Sequence, residues 1–393
     1  MKRPILSFLL CLLLNTGLHS CIHVNEQQVP EFVVENIKGF PIEEEGYELG
    51  VSACFAGVLG DKLIMAGGCN FPNMPAAEGG AKKFYQGIYC AELKDNIDSL
   101  EWKLIGELPY SSAYGVTISL ADELVCIGGS NETGKLNKVC SIKWSDNKAI
   151  VDSLPDLPWP IDNMCGSLYQ DKIIIAGGTK NNQPSNQALS LNLTDLEKGW
   201  TVLTDFTGNA RVQPVAFASD SIYYLFGGFA GSTAQTNASL NTDGIKWREK
   251  WIGETSGPML ESGEVISLGG GTAVRADSFA LAMGGVHKDI FLGALQREQI
   301  QKEAIDLSII DSLKMEGYKY MTQPQEWYGF NKHLFLFDFK TETWHNLGSH
   351  SSLARAGAVA VIDGLDIYLI GGELKPGIRT PDIVRVKINM NIN

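Results

Sequence analysis

A short apolar run that ends in two glycines recurs along the chain and limits the folds that the chain can adopt. The run occurs six times, at 63–68 (LIMAGG), 124–129 (LVCIGG), 173–178 (IIIAGG), 223–228 (YYLFGG), 280–285 (ALAMGG) and 367–372 (IYLIGG). An acidic turn residue precedes each pair by six to eight positions, namely Asp61, Asp122, Asp171, Asp220, Asp277 and Asp363. Because another short apolar stretch lies before each turn, the predicted unit is strand, turn, strand and Gly-Gly.

The spacing of the units indicates how many strands each one holds. Successive first glycines are 61, 49, 50, 57 and 87 residues apart, and most units continue with a third strand and a tryptophan segment such as WKLIGELP (102–109). Four short strands per ~50 residues resemble the kelch repeat of β-propellers. The resemblance implies an all-β, six-bladed kelch-type β-propeller whose glycines let inner strands approach near the axis. We therefore expect one domain over 30–393, although the length alone suggests about two or three.

The strand count also predicts how the ring closes. After the sixth Gly-Gly pair the chain has only one more strand, DIVRVKI (382–388). The segment FVVENIKGFP (32–41) resembles an outer strand in character. We predict that this N-terminal strand completes the sixth blade.

The N-terminus reads as an export signal. Lys2 and Arg3 precede an apolar run over 5–14 that is too short to span a bilayer as a helix. The following Leu18–Cys21 resembles the lipobox of bacterial lipoproteins, although His19 departs from the usual small residue. We predict a signal peptide over 1–20, with lipidation at Cys21 or plain cleavage as the alternatives. A periplasmic protein or an outer-membrane lipoprotein, without a membrane span, is expected.

Composition disfavours several functional classes. The net charge of −13 disfavours nucleic-acid binding, and an anionic ligand would need a local cation. The six histidines include no close pair, so a copper oxidase of the kelch type is disfavoured, and we expect neither a metal nor another cofactor. Six cysteines beyond Cys21 form no CxxC pair and are expected to be buried apolar side chains; these are Cys54, Cys69, Cys90, Cys126, Cys140 and Cys165.

One charged residue stands out among those that follow the glycine pairs. These residues are Cys69, Ser130, Thr179, Phe229, Val286 and Glu373. Arg379 lies six positions after Glu373, on a loop shaped by a Pro-Gly pair. The neighbouring fifth and first blades carry insertions on the same rim, a helical one over about 286–328 and another over 69–86. We expect a small-molecule pocket there, covered by the two insertions. The alternative is that Glu373 and Arg379 form an ion pair that only stabilises the loop.

Other candidate ligand-binding residues are less specific. Arg211 and Arg355 each lie sixteen positions before a Gly-Gly pair and are expected to enter inner strands from the same face. Kelch repeats often use such an arginine structurally, so both roles stay open. The blade-one insertion offers Asn70, Glu78, Lys82 and Lys83.

Three loops extend the resemblance to a specific family. GGELKPGIRT, GGCNFPNMPAAEGGAKKFYQGIY and GGVHKDIFLGAL are similar to loops of the N-acetylneuraminate epimerases, or sialate mutarotases. The glutamate loop lies near the C-terminus here and mid-chain in the best-known bacterial members, which matches the cyclically permuted mutarotase group. The resemblance implies an exported isomerase that interconverts the α and β anomers of sialic acid.

The resemblance also assigns roles to residues. It implies that Glu373 accepts a proton and that Arg379 helps to hold the substrate. Arg355, Arg211, Asn70 and Lys375 are added to the predicted substrate-binding set from their positions in this sequence, not from the resemblance. The group that protonates the ring oxygen stays open between Lys375, Arg355 and a glutamate of the blade-one insertion. Two other functions remain as alternatives, a glycan-binding or interaction propeller without catalysis and a sialidase, whose Ser-x-Asp-x-Gly-x-x-Trp boxes are not found in the sequence.

Overall fold

Six antiparallel sheets form the body of the protein, as the repeat count predicts; each has four main strands, and the third has an additional short one, Gln183–Pro184. The computed structural model describes residues 31–94, 97–231 and 238–389. The predicted signal peptide (1–20) and Cys21 lie outside the described residues. From the innermost strand outward, the blades are Phe55–Leu59, Lys62–Ala66, Gly87–Glu92 and Lys103–Glu107 (blade 1); Val116–Ser119, Leu124–Ile127, Val139–Ser145 and Lys148–Ser153 (blade 2); Asp162–Tyr169, Lys172–Lys180, Ala188–Asn192 and Trp200–Val202 (blade 3); Val215–Ala218, Tyr223–Phe226, Asp243–Trp247 and Trp251–Ser256 (blade 4); Gly271–Arg275, Phe279–Gly284, His333–Asp338 and Thr343–Ser349 (blade 5); and Val359–Asp363, Asp366–Ile370, Ile383–Asn389 and Glu31–Ile37 (blade 6).

The N-terminal strand closes the ring, which confirms the prediction from the strand count. Glu31–Ile37 pairs antiparallel with Ile383–Asn389, in a register that runs from Glu31 opposite Asn389 to Ile37 opposite Ile383. Glu35 lies opposite Arg385 in this register. The first and last described strands of the chain therefore share one sheet.

The glycine pairs lie where neighbouring blades touch. In five of the six pairs the second glycine donates its N–H to a carbonyl at the entrance of the next blade, as Gly68 does to Ser112 (2.8 Å) and Gly372 to Val51 (2.9 Å). Gly371 has a φ of +56°, and a Cβ placed on it would lie 2.3 Å from the Val51 oxygen. No other residue type fits this approach without movement, which explains why the pair recurs.

A ring of backbone hydrogen bonds surrounds the mouth of the axial channel, whose cavity is about 470 Å³. Each blade contributes one residue with a left-handed backbone, and its N–H donates to the carbonyl of the equivalent residue in the preceding blade at 2.7 to 3.0 Å. The residues are Ala53, Tyr114, Asn163, Gln213, Gly270 and Gly357. This rim is the face that carries the loops after the glycine pairs.

Tryptophans of the outer strands join adjacent blades. The indole N–H of Trp200 donates to the Pro155 carbonyl (2.8 Å), and that of Trp251 donates to the Thr204 carbonyl (2.7 Å). Each acceptor lies at the end of the preceding blade. All six described cysteines are buried and free, as expected, and all but Cys69 lie in the apolar clusters that fill the space between blades.

Both rim insertions are present. Blade 5 carries helices α1 (Lys288–Glu303) and α2 (Leu307–Met321), which confirms the predicted helical insertion. Within the described residues, neither helix has the length and apolar character needed to cross a bilayer. The remaining short strands are Cys69–Asn70, Lys83–Phe84, Ser130–Asn131, Gly134–Lys135, Gln183–Pro184, Phe229–Ala230, Ser239–Leu240, Glu373–Lys375 and Ile378–Arg379, and the 3-10 helices are Tyr47–Leu49, Ala76–Glu78, Leu196–Lys198, Gln325–Tyr328 and Ser351–Leu353.

Candidate active site

Glu373 and Arg379 lie opposite each other in a small hairpin at the rim of blade 6. Oε1 of Glu373 accepts hydrogen bonds from Nη1 of Arg379 (2.7 Å) and from the backbone N–H of Gly377 (2.6 Å). Gly377 has a φ of +83°, which allows the tight turn that brings its N–H back to the carboxylate. Among the described residues, Oε2 of Glu373 has no hydrogen-bond donor, and the side chain is 26% exposed. This second oxygen is therefore available to a ligand.

Arg379 is held from several sides. Its Nε donates to Oγ of Ser52 (3.1 Å), and its guanidinium lies 5.0 Å from the centre of the Phe71 ring. Burial alone would lower the pKa of Arg379, but Glu373, Tyr114 and Cys69 together outweigh that effect, and the pKa is raised. The arginine is therefore charged at neutral pH, and its bonds to Glu373 and Ser52 use two of its five N–H groups.

The two insertions flank this hairpin, as the sequence predicts. On one side, a Cβ placed on Gly377 would lie 2.6 Å from Cβ of Ala76, in the blade-one insertion. On the other side, Nζ of Lys375 donates to the carbonyl of Gln323, which follows α2 (2.8 Å). The glutamate loop thus lies between a blade-one wall and a blade-five wall.

A second cation, Lys82, lies on the blade-one wall. Its Nζ donates to the hydroxyl of Tyr114 (2.8 Å) and lies 4.6 Å from the centre of that ring. The rings of Phe71 and Phe84 are 5.8 and 5.9 Å away. Within the part of the chain that the structure describes, no carboxylate lies within salt-bridge distance of Lys82. Since Glu373 offsets the charge of Arg379, Lys82 supplies the net positive charge of the site.

Tyr114 reaches the site from the rim ring of blade 2. Its φ of +64° is unusual for an aromatic residue and costs about 1–2 kcal/mol. Burial is the main reason that the pKa of Tyr114 lies well above its ordinary value; Glu373 raises it further and Arg379 opposes the shift. The hydroxyl is therefore protonated at neutral pH.

Comparison with known proteins identifies the family. Residues 15–151 and 154–393 match the family of N-acetylneuraminate epimerase. The chain belongs to this family. It is 29% identical over 240 residues to the N-acetylneuraminate epimerase of Salmonella typhi, a match that covers 59% of this chain and 58% of that protein. It is 30% identical over 242 residues to the protein of the same name in Escherichia coli O139:H28, covering 61% of each.

A solved structure is similar as well. The structure titled "Structure of YjhT" has a TM-score of 0.51 and 28% identity, covering 61% of this chain and 64% of that one. The chain therefore spans about three fifths of the length of the relatives that it matches. The permuted order of this N-acetylneuraminate epimerase family member stays a prediction from the position of the glutamate loop.

Three residues predicted to bind substrate in this epimerase family member are instead engaged in framework bonds. Nη1 of Arg211 donates to the carbonyls of Gly227 and Asp243, both at 3.1 Å. Nη1 of Arg355 donates in the same way to the carbonyls of Gly371 (3.0 Å) and Asp382 (2.7 Å). Both arginines are at most 2% exposed. The observed contacts correspond to the structural alternative, because each arginine satisfies the carbonyl of the first glycine of a pair.

Asn70 is likewise engaged in framework bonds. Its Nδ2 donates to the carbonyls of Gly46 (2.6 Å) and Gly50 (2.9 Å), and its Oδ1 accepts from the hydroxyl of Tyr85 (2.8 Å). Lys83 donates to the Glu45 carbonyl (2.6 Å), away from the glutamate loop. Of the insertion residues considered from the sequence, Lys82 is the one whose charged atom contacts the cluster around Arg379.

Proposed function

We propose that the protein is a mutarotase that interconverts the α and β anomers of N-acetylneuraminate. The observation that carries the proposal is the paired Glu373–Arg379 hairpin, which presents a carboxylate oxygen and cationic donors between two walls of one rim. Family membership supports the same conclusion, since the family takes its name from N-acetylneuraminate epimerase.

The chemistry requires a base, an acid and a holder for the substrate carboxylate. N-acetylneuraminate is a cyclic 2-keto acid whose anomeric carbon carries a hydroxyl and a carboxylate. In the proposed reaction, Oε2 of Glu373 takes the proton of the anomeric hydroxyl, the bond from the anomeric carbon to the ring oxygen breaks, and the ring oxygen receives a proton. The open-chain ketone rotates about the bond next to the carbonyl carbon and closes on its other face. Each proton then returns to its donor, so no cofactor is consumed.

Two cations are suited to hold the substrate carboxylate. Arg379 retains N–H groups beyond those bonded to Glu373 and Ser52, and a guanidinium can bind a carboxylate through two parallel bonds. Lys82 adds a charge that no neighbouring carboxylate offsets in the described structure. Since the chain has a net charge of −13, this local positive charge is what would make the rim attractive to an acidic sugar.

Glu373→Gln tests the proposal, because the amide keeps the shape and one acceptor but does not act as a base. The rate of conversion of freshly released α-N-acetylneuraminate to the β anomer is followed by proton NMR. We expect the wild type to accelerate the conversion over buffer and Glu373→Gln to lose at least about 100-fold of that acceleration. Glu316→Gln, an exposed site on α2, is the matched control and should behave as wild type.

Two outcomes would contradict the enzymatic proposal. A wild-type protein that leaves the conversion no faster than in buffer is not a mutarotase for this sugar. Sugar affinity without acceleration would favour a glycan-binding propeller instead. Equal rates for Glu373→Gln and wild type would remove Glu373 from the base role.

We also propose that the protein acts outside the cytoplasm, exported by segment 1–20, in the periplasm or as an outer-membrane lipoprotein. The basic and apolar pattern of that segment supports export, and Cys21 is the candidate lipid anchor. Metabolic labelling with a radioactive fatty acid distinguishes the two alternatives, since Cys21→Ala should abolish labelling only if Cys21 is lipidated.

A further inference from the structure

The proposed reaction needs a proton donor for the ring oxygen, and the sequence leaves that donor unassigned. Two of the candidates from the sequence have other partners: Nζ of Lys375 donates to the Gln323 carbonyl (2.8 Å), and the Arg355 guanidinium is buried against two carbonyls. We propose that Tyr114 donates the proton to the ring oxygen and that Lys82 holds the Tyr114 hydroxyl in the orientation to do so. This inference rests on the proposed function and deepens it.

The first argument for Tyr114 as the proton donor is the direction of its hydrogen bond with Lys82. An ammonium group has donors and no acceptor, so the contact of 2.8 Å must run from Nζ of Lys82 to the Tyr114 oxygen. The hydroxyl proton of Tyr114 is then directed away from Lys82. A phenol that accepts from a cation keeps its own proton for another acceptor, which is the adjacent Cys69 thiol or a bound sugar, and is thus arranged as a proton donor.

The second argument is the position of Tyr114. It belongs to the rim ring at the mouth of the axial channel, and it lines that cavity. The charges of both Glu373 and Arg379 act on its hydroxyl, and the Cys69 thiol adjoins it from the blade-one side. Acid and base therefore belong to one cluster, with the base on the blade-six loop and the acid on blade 2.

The third argument is the backbone conformation of Tyr114. Its left-handed conformation is imposed by the hydrogen-bond ring, in which the Tyr114 N–H donates to the Ala53 carbonyl and its carbonyl accepts from Asn163. The equivalent positions of blades 5 and 6 are Gly270 and Gly357, which adopt this conformation without strain. An aromatic side chain at such a position is strained, and strain of this kind marks functional sites.

Protons are conserved over one cycle of ring opening and closure. During ring opening, Oε2 of Glu373 gains the proton of the anomeric hydroxyl while the Tyr114 hydroxyl gives its proton to the ring oxygen. The phenolate formed is adjacent to the positive charges of Lys82 and Arg379. An alkoxide is a stronger base than a phenolate, so a protonated tyrosine is acidic enough for this transfer. On closure, Tyr114 recovers its proton from the sugar hydroxyl and Glu373 returns its own.

Tyr114→Phe tests the proposal, because it removes only the hydroxyl and keeps the ring beside Lys82. With the anomerisation assay above, initial rates are measured over a range of α-N-acetylneuraminate concentrations. We expect kcat to fall about 100-fold with KM changed less than about threefold. Tyr169→Phe is the matched control, since Tyr169 is also buried and its hydroxyl donates to the Ser221 carbonyl, next to the turn of blade 4. It should keep the wild-type kcat.

Lys82→Met provides a second measurement if Tyr114→Phe fails to fold. Loss of the ammonium should lower kcat about tenfold or more because the phenolate loses its adjacent charge. A Tyr114→Phe protein with wild-type kcat, or with a raised KM and unchanged kcat, overturns the proton-donor role while leaving the mutarotase function in place. A rise in KM alone for Lys82→Met would assign Lys82 to substrate binding and equally overturn its assisting role. An inactive wild type would instead be a failure of the proposed function itself.

Discussion

A cross-strand ion pair contributes to the closure of the ring and can be removed without changing the shape of the strand. Nε and Nη2 of Arg385 donate to Oε2 of Glu35 at 2.9 and 2.5 Å, and Nζ of Lys387 donates to Oε1 at 3.3 Å. The Arg385 side chain is 5% exposed, whereas that of Glu35 is 37% exposed. Glu35→Gln would therefore leave a nearly buried guanidinium without its main counter-charge.

The expected loss is modest because Glu35 faces solvent. A hydrogen bond between charged groups contributes about 1.5–3 kcal/mol when shielded. Solvent screening reduces this, the glutamine keeps one acceptor oxygen, and Asp366 stays 3.9 Å from Arg385, so we expect a loss of about 1 kcal/mol in the free energy of unfolding. For a chain of this length, that corresponds to roughly 2 °C in Tm.

The pH dependence gives the sharper test. The hydrogen bond from Arg385 is the main reason that the pKa of Glu35 lies below its ordinary value. A lowered pKa means that the stabilisation is fully present above the unfolded-state pKa, about 4.3, and is lost as pH falls through the folded-state pKa. The Tm difference between wild type and Glu35→Gln should accordingly be largest at neutral pH and shrink towards pH 3.

Thermal unfolding of wild type, Glu35→Gln and Glu31→Gln, followed by circular dichroism, makes the comparison. Glu31 lies on the same strand, is exposed and faces Asn389 across the sheet, so its substitution should change Tm little at any pH. Equal Tm values for wild type and Glu35→Gln at pH 7, or a Tm difference that is the same at pH 3, would refute the reasoning.

Two further predictions concern the framework. Gly371→Ala should lower the free energy of unfolding, measured by urea denaturation, by about 2 kcal/mol more than Gly364→Ala. Both glycines have left-handed backbones, but only Gly371 would place a Cβ 2.3 Å from a backbone oxygen. Equal losses for the two variants would contradict the close-approach argument. The six described thiols should react with a thiol reagent only after unfolding, since burial raises the pKa of Cys54 and Cys165 to about 12. A lower count under non-reducing conditions would indicate a disulfide, for which Cys126 and Cys140, opposite each other on adjacent strands, are the candidates.

The repeat could be read from the sequence because a similar geometric constraint acts at every blade entrance. In five of the six pairs a Cβ placed on the first glycine would lie 2.3 to 2.8 Å from a backbone carbonyl oxygen of the next blade, as at Gly371 against Val51, and at Gly227 it would lie 3.0 Å from the Leu268 backbone nitrogen. The count of glycine pairs is therefore a count of blades. Ring closure followed from the same count, since a blade that ends one strand short needs a partner from the other terminus.

Polar residues on loops were harder to place because sequence does not show where their hydrogen bonds are used. Asn70 lies in an insertion next to the site, yet its amide is fully engaged with the backbone around Gly46 and Gly50. Arg211 and Arg355 occupy equivalent positions and do equivalent structural work at two glycine pairs. A buried carbonyl at a tight turn needs a donor, and that need accounts for both arginines without a ligand.

Tyr114 could not be found from the sequence for a different reason. It comes from blade 2, whereas the glutamate loop belongs to blade 6 and Lys82 to the insertion of blade 1, so no motif contains all three. Tyr114 is brought to the site by the circle of six hydrogen bonds at the channel mouth, which places one residue of every blade on the rim that also carries the glutamate loop. Because the circle is closed, the place where the chain is cut does not affect which residues meet at the rim. A permuted chain therefore keeps its site, and a residue at the ring position of any blade is a candidate for chemistry carried out on a neighbouring loop.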